Sequence, residues 1–302
     1  MKKERSKEDA SLLAQLLLLG VAVIWGWTFA LVKESLATTS TFVFLFYRFG
    51  LAFILLTLIF RKKILSTEKA TWIRGGLTGL ALFGGYWLQT WGLNYTSATK
   101  SAFITGFFVV LVPILSWLLM REKAGWPVWT GALISIVGLG LLVFGGGKSW
   151  GGLNPGDPLT LLCALSFAAH IVLIGKYTKP ENYVTILVAQ IGVVALLSGF
   201  GAGLTGGEIF PTSPLAWRGI SITGILATAL AFWAQNRFQP YSTPGRTAII
   251  FSAEPVFAGL FGYLILRELF SPWQWLGAFF ILCAMLLAQL RPGREELPPN
   301  PR

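Results

Sequence analysis

Residues 252–259 read SAEPVFAG, a carboxylate and a proline inside a long run that is otherwise apolar or small and uncharged. Burying Glu254 there is costly unless it meets a partner or a water-filled cavity, so an ionisable side chain in such a run is a functional candidate. Arg48 and His170, the single histidine, interrupt apolar runs in the same way. Each suggests a definite chemistry. Glu254 can exchange a proton or pair with a cationic substrate; equally, it can hydrogen-bond backbone groups left unpaired by Pro255, which lacks an amide proton. Arg48 does not lose its proton, so it either anchors the fold, through carbonyls or Glu254, or contacts an anionic substrate group. His170 can titrate near neutral pH, although a lone histidine in a helix is more often a satisfied interior residue and builds no metal site.

A second set has the chemistry of a binding surface rather than of a reaction: Trp25, Tyr86, Trp87, Gln89, Gln190, Trp233 and Gln235. Indole and phenol faces hold apolar or cationic ligands, and amides fix orientation with donors and acceptors. The competing reading is lipid-facing aromatics and interhelical amide contacts. No catalytic constellation accompanies these residues. Ser166 stands one turn before His170, a common coincidence at helical spacing, and the chain has no G-x-S-x-G elbow, H-E-x-x-H site or phosphate loop. No enzyme activity, metal or cofactor is expected.

The elements that must position these side chains follow from composition. Of 302 residues, 54% are hydrophobic and only 12% charged, which places the chain in the membrane class. Ten stretches are long and apolar enough to cross a bilayer core: roughly 12–32, 41–60, 75–95, 101–120, 127–146, 157–175, 183–204, 215–236, 247–266 and 272–290. In lipid every backbone amide must be paired internally, and the alternating pattern of a barrel is absent from the sequence. The expected fold is therefore an all-α polytopic bundle. The first stretch follows MKKERSK, is too long for a signal h-region and lacks a small-x-small cleavage site, so it is read as an uncleaved first helix.

Lys and Arg set the orientation. If the N-terminus is cytoplasmic, only Lys33, Lys100, Lys148, Arg218 and Arg267 of the twenty-four basic residues fall outside, with Arg48 inside a helix. Both termini are thus expected in the cytoplasm, with the chain a multi-pass protein of the cell membrane. The net charge of +11 is accounted for by this bias and by anionic headgroups, so no nucleic-acid partner is expected. Cys163 and Cys283 fall in apolar stretches and are read as small apolar side chains.

The chain is also written twice. A shift of 146 lays Trp87 on Trp233, Gln89 on Gln235, Tyr95 on Tyr241, Lys100 on Arg246, Arg121-Glu122 on Arg267-Glu268, Trp129 on Trp275 and Gly131-Ala132 on Gly277-Ala278. Nearer the N-terminus the offset slips, pairing Lys33 with Lys176 and Arg48 with Gln190. Each half, 12–146 and 157–290, is a five-helix unit. Five is odd, so the second copy enters the membrane from the opposite side, an inverted repeat associated with carriers that bind near the midplane. Under this repeat Glu254 faces Phe108, and His170 faces Trp27, so the helices repeat while the charges do not.

These residues carry a resemblance. TSATKSAFITGFFVVLVPILSWLLMREKAGWPVWTGALISIVGLGLL, its echo SAEPVFAGLFGYLILRELFSPWQWLGAFFILCAMLL, the AVIWGWTFALVK of the first stretch and the YRFGLAF of the second resemble the drug/metabolite transporter superfamily, specifically its ten-helix EamA-type permeases. The resemblance implies a basket of two five-helix repeats around a central cavity, with export or uptake of small metabolites. It names no single substrate. The first half departs from the second by carrying Phe108-Val109 where the shift predicts Glu254-Pro255, with its proline later at Pro113.

The expected function is a secondary carrier, an exporter of small metabolites such as amino acids or organic cations, alternating access through the cavity. Its partners would be a small-molecule substrate, the bilayer and protons as coupling ion through Glu254 or His170, and one chain would suffice as a functional monomer. A flippase of a lipid-linked substrate is the alternative; a channel would repeat its filter chemistry symmetrically. Arg121-Glu122 and Arg267-Glu268 are expected to pair locally, cap helices or gate. Gly75/Gly79, Gly199/Gly203 and Ala258/Gly262 have the spacing for close helix approach.

Overall fold

The computed structural model describes residues 2–64, 67–96, 98–145, 154–266 and 271–288, and no β-strand occurs among them. The first half contains α1 (Lys2–Ser35), α2 (Thr41–Ile64), α3 (Lys69–Gly92), α4 (Ala98–Gly106), α5 (Phe108–Met120) and α6 (Trp126–Phe144). The second contains α7 (Gly156–Tyr177), α8 (Tyr183–Leu204), α9 (Pro214–Ile222), a π-helical segment (Thr223–Leu230), α10 (Ala231–Phe238), a 3-10 turn (Gln239–Tyr241), α11 (Pro244–Phe251), α12 (Glu254–Leu266) and α13 (Pro272–Ala288).

Among the described residues, six segments are long and apolar enough to span a membrane, against ten expected: Ser11–Ser35, Thr41–Ile64, Phe103–Met120, Gly156–Tyr177, Tyr183–Leu204 and Pro214–Tyr241. Trp126–Leu141 and Pro272–Ala288 are apolar but shorter. The bundle is apolar on its outside. Leu196, Phe200 and Leu204 form one outward row of α8 with exposures of 74%, 68% and 72%. Meanwhile Arg48, His170, Gln190, Gln235 and Gln239 are buried. A soluble protein sorts its residues the other way, so lipid is the surrounding solvent and the chain is a multi-pass membrane protein.

The fourth and ninth expected stretches are not continuous helices. Between α4 and α5, Phe107 N–H donates to Ile104 O, and Val110 and Leu111 N–H both donate to Phe107 O. Between α11 and α12, Ala253 N–H donates to Ile250 O, and Val256 and Phe257 N–H donate to Ala253 O. The two interruptions thus have the same hydrogen-bond pattern, 146 residues apart. The eighth stretch, expected as one plain helix, contains the π-helical segment, a feature that widens a helix locally and often marks functional sites.

Small residues bring helices into contact where the spacing suggested. A Cβ on Gly75 would lie 2.6 Å from Ala189 Cβ, and one on Gly79 would lie 2.8 Å from Gln190 Cα, so α3 and α8 meet backbone to backbone. Gly26 of α1 sits on the start of α12, where a Cβ would meet Glu254 O at 2.6 Å and Ala258 N at 2.8 Å. Gly199 seats the ring of Phe46, whereas Gly203 has open space beside it. Two apolar clusters result, one from α1, α5, α6, α7, α11 and α13, the other from α2, α3, α8 and α10; Trp25 borders both. Arg121 ends α5 in the left-handed region at φ 61, its N–H donating to Trp117 O. Arg267-Glu268 lies outside the described residues. Cys163 is buried and Cys283 half-buried, both free.

Candidate functional site

One cavity, with about 750 Å³ of atom-free space including its mouth, lies between the clusters. It is walled by α1, α2, α3, α4, α5, α7, α10, α11 and α12, and its lining runs toward the end of the bundle where α1 and α3 finish, at Val32 and Leu93.

Arg48 is the polar centre of this wall. It is 3% exposed, with Nε donating to Thr228 Oγ1 at 2.8 Å and Nη2 to Tyr86 Oη at 3.4 Å. Its guanidinium lies 4.8 Å from the Tyr86 ring centroid and 5.4 Å from that of Phe49. The expected anchoring therefore uses hydroxyls and ring faces rather than carbonyls or Glu254. Thr228 belongs to the π-helical segment, and so does Ala227, whose carbonyl accepts Trp25 Nε1–H at 2.9 Å. Two cavity-lining side chains from α1 and α2 thus hold the irregular turn.

Glu254 opens α12 and lines the same cavity. Among the described residues its carboxylate has no hydrogen bond and no ion pair; Arg48 acts on it electrostatically without touching it. The suggested brace for backbone groups freed by Pro255 is not formed. His170 Nε2 lies 2.7 Å from Gln190 Oε1, and its ring stands edge-on to Phe232 at 5.8 Å. Gln190 is fully buried behind His170 rather than on the cavity wall, and its Nε2 lacks a hydrogen-bond partner.

Gln89 and Gln235 both line the cavity but are engaged differently. Gln89 Nε2 reaches Thr105 Oγ1 at 3.4 Å. Gln235 Nε2 donates to Gln239 Oε1 at 2.9 Å, and Gln239 Nε2 donates to Ile171 O at 2.6 Å, which ties α10 to α7 beneath the cavity. Trp25, Arg48, Tyr86, Gln89, His170, Gln235 and Glu254 are thus brought together. Trp87 and Trp233 are not. Trp87 stacks on Phe83 and Trp91, 5.8 and 5.7 Å away, and Trp233 packs on Phe238. The reason is helical: a residue two after a Trp points about 200° away from it, so Trp87 and Gln89 cannot share a face. Tyr86 and Phe232, three residues before the amides, share theirs and line the cavity.

Sequence reading missed Thr28, Thr90 and Thr105, and the rings Phe108, Phe167, Phe232 and Phe251. The threonines give no signal in an apolar helix, but Phe232 was available as the partner of Tyr86 at the 146-residue shift. Among the described residues no group of His, Cys, Asp or Glu has the geometry to hold a metal ion.

A polar, ring-lined cavity enclosed by lipid-facing helices is the architecture of a membrane transporter. The comparisons give the family. The model of the EamA-like transporter family matches residues 12–144 and again 154–290, and the chain belongs to that family. An uncharacterized transporter of Archaeoglobus fulgidus is 37% identical over 90% of this chain and 84% of its own. The uncharacterized transporter YoaV of Bacillus subtilis is 24% identical over 93% and 98%. A solved crystal structure superposes with a TM-score of 0.76 over 93% of this chain and 96% of the other, at 17% identity, a likeness of fold. This chain is a membrane transporter.

Proposed function

We propose that the chain is a secondary carrier that exports small metabolites, amino acids or organic cations among them, by alternating access. It would be built from two inverted five-helix repeats, 12–146 and 157–290, with both termini on the cytoplasmic side of the cell membrane. The observation that carries this reading is the cavity between the clusters, to which both halves contribute a charged or amide side chain: Arg48 and Gln89 from one, Gln235 and Glu254 from the other.

The element boundaries support the repeat. α4, α5 and α6 begin at 98, 108 and 126, and α11, α12 and α13 begin at 244, 254 and 272. Packing is also exchange-symmetric. α6 packs on α13 and α2 on α8; α1 packs on α12 as α7 packs on α5; α3 packs on α7 as α9 and α10 pack on α1. Ten spans then follow if α4 with α5, and α11 with α12, each cross once. Rocking of one half against the other would make and break the Arg48–Thr228 and Trp25–Ala227 hydrogen bonds, which join the halves, and Glu254 or His170 would carry the coupling proton.

Counterflow in sealed proteoliposomes tests the reading, using radiolabelled amino acids, nucleobases and organic cations with and without a pH gradient. Saturable exchange of one class, driven by the gradient, is the expected result. Absence of exchange for every class in folded protein would overturn the carrier reading. Gradient response unchanged in both Glu254→Gln and His170→Ala would remove the proton role.

A further inference from the structure

Alternating access needs a second mouth, opposite the one that the cavity has near Val32 and Leu93. Resting on the carrier reading, we infer that this mouth lies between the ends of α7 and α10, and that the side chain of Gln239 is the latch sealing it. The repeat gives the place. Thr28 of α1, Gln89 and Thr90 of α3, and Leu93, which ends α3, line the cavity toward its mouth. The shift of 143 that pairs Lys33 with Lys176 carries Thr28 onto Ile171, and the shift of 146 carries the other three onto Gln235, Asn236 and Gln239. Ile171 and Gln235 stand on the cavity wall, whereas Asn236 and Gln239 lie beneath it, wholly buried.

The two ends differ in what joins their helices. At the open mouth Lys33, in the last turn of α1, donates from Nζ to Leu93 O at 2.6 Å, so a long side chain bridges α1 and the end of α3. Its counterpart Lys176 makes no such bond to Gln239 and donates instead to Leu119 O of α5 at 3.0 Å. The space between α7 and α10 is closed by Gln239 itself, whose Nε2 donates to Ile171 O at 2.6 Å. Leu93 has no amide, so the open mouth has no equivalent latch. The seal is also incompletely satisfied: Gln235 Oε1 and Asn236 Oδ1 are enclosed without a hydrogen-bond partner among the described residues. Buried acceptors left unpaired are costly and call for a reason. Parting of α7 from α10 lets water reach both, which offsets the loss of the Gln239–Ile171 bond. In that state Lys176 leaves Leu119 O and takes Gln239 O, as Lys33 takes Leu93 O at the other end.

Thiol access reads both mouths without any substrate. In the full chain with Cys163→Ala and Cys283→Ala, reconstituted in sealed vesicles, Asn236→Cys reports on the sealed end and Val32→Cys on the open one, with a membrane-impermeant maleimide added to either face. Gln239→Leu gives the seal the residue of the other mouth. It is expected to raise labelling of Asn236→Cys about fivefold or more, only from the face where α7 and α10 finish, and to lower labelling of Val32→Cys from the opposite face. Lys176→Met is expected to reverse that gain; full retention of the gain would overturn the lysine exchange. Labelling of Asn236→Cys that ignores Gln239→Leu, or that comes from the face of Val32, would overturn the latch. So would a gain at both positions, the mark of a protein merely loosened. Counterflow keeps the two readings apart: saturable exchange by a chain whose labelling does not respond leaves the carrier and removes the latch, whereas opposed labelling shifts without exchange of any class leave the two mouths and remove the carrier.

Discussion

The stretches 98–120 and 244–266 have the same shape and different chemistry. Both are helices interrupted at matching places, with Phe107 and Ala253 accepting and donating the same hydrogen bonds. The second has Glu254-Pro255 just after the break; the first has Phe108-Val109, and its proline lies inside α5 at Pro113. The break therefore requires neither a proline nor a carboxylate at that place. Pro255, as the second residue of α12, sits where a helix tolerates proline without losing an internal bond. Glu254 makes no brace across the gap. Its place in the molecule is explained by what it faces, the cavity with Arg48, and not by the bend it follows.

The sharpest way to break this comparison is through Arg48. Arg48→Ala removes the charge opposite Glu254, frees Tyr86 and releases Thr228 of the π-helical segment. Counterflow is expected to fall to background, and thermal stability to drop by on the order of 2 kcal/mol per charged hydrogen bond lost. Arg48→Lys restores charge but not the fork of donors, so stability should return further than transport. Next comes Glu254→Gln, which keeps shape and removes charge. Transport is expected to fall about tenfold or more with the melting temperature unchanged. A melting temperature that collapses while residual transport is intact would return Glu254 to a bracing role.

Much of this was legible in the sequence for physical reasons. Lipid as solvent forces helices, so apolar length located helical segments, six of them long and apolar enough to span among the described residues, and element starts 146 apart recur for α4 to α6 and α11 to α13. The ionisable residues stood out because few side chains are tolerated there without a purpose, and Arg48, His170 and Glu254 all line the cavity. What sequence reading got wrong is the facing of Trp87 and Trp233. Repeated identity marks shared depth, not shared direction, and the helical angle between Trp87 and Gln89 already argued against a common face. The helix interruptions and the π-helical segment had no signal, because hydrogen bonds shared between successive turns leave no composition behind.

Gly26 sharpens the comparison at the neighbouring helix. Glu254 O and Ala258 N approach so closely that a methyl group on Gly26 would meet backbone at 2.6 and 2.8 Å. With Trp27 facing His170, the corresponding place in α7 is Ala169, half-buried. The start of α12 is therefore held close against α1, which limits where Glu254 can lie. Gly26→Ala should cost about 1–3 kcal/mol by overpacking and displace Glu254, lowering transport more than stability alone accounts for. Ala169→Gly should cost only about 0.5–1 kcal/mol of helix propensity, read by thermal melting in detergent or nanodiscs.

The smallest expected effect belongs to the residue that the sequence made most conspicuous. If the interruption at 252–253 is a property of the packing, as its proline-free counterpart at 107 argues, then Pro255→Ala leaves it in place. The added amide joins the first turn of α12, where N–H groups have no intrahelical partner in any case. The substitution should cost less than about 1 kcal/mol, chiefly through the greater freedom of the unfolded chain, and leave counterflow near that of the parent. A large loss of transport would mean that the two breaks, alike in their hydrogen bonds, are maintained differently. Val109→Pro, which gives the first break its missing proline, separates the cases: it should be tolerated if packing sets both breaks.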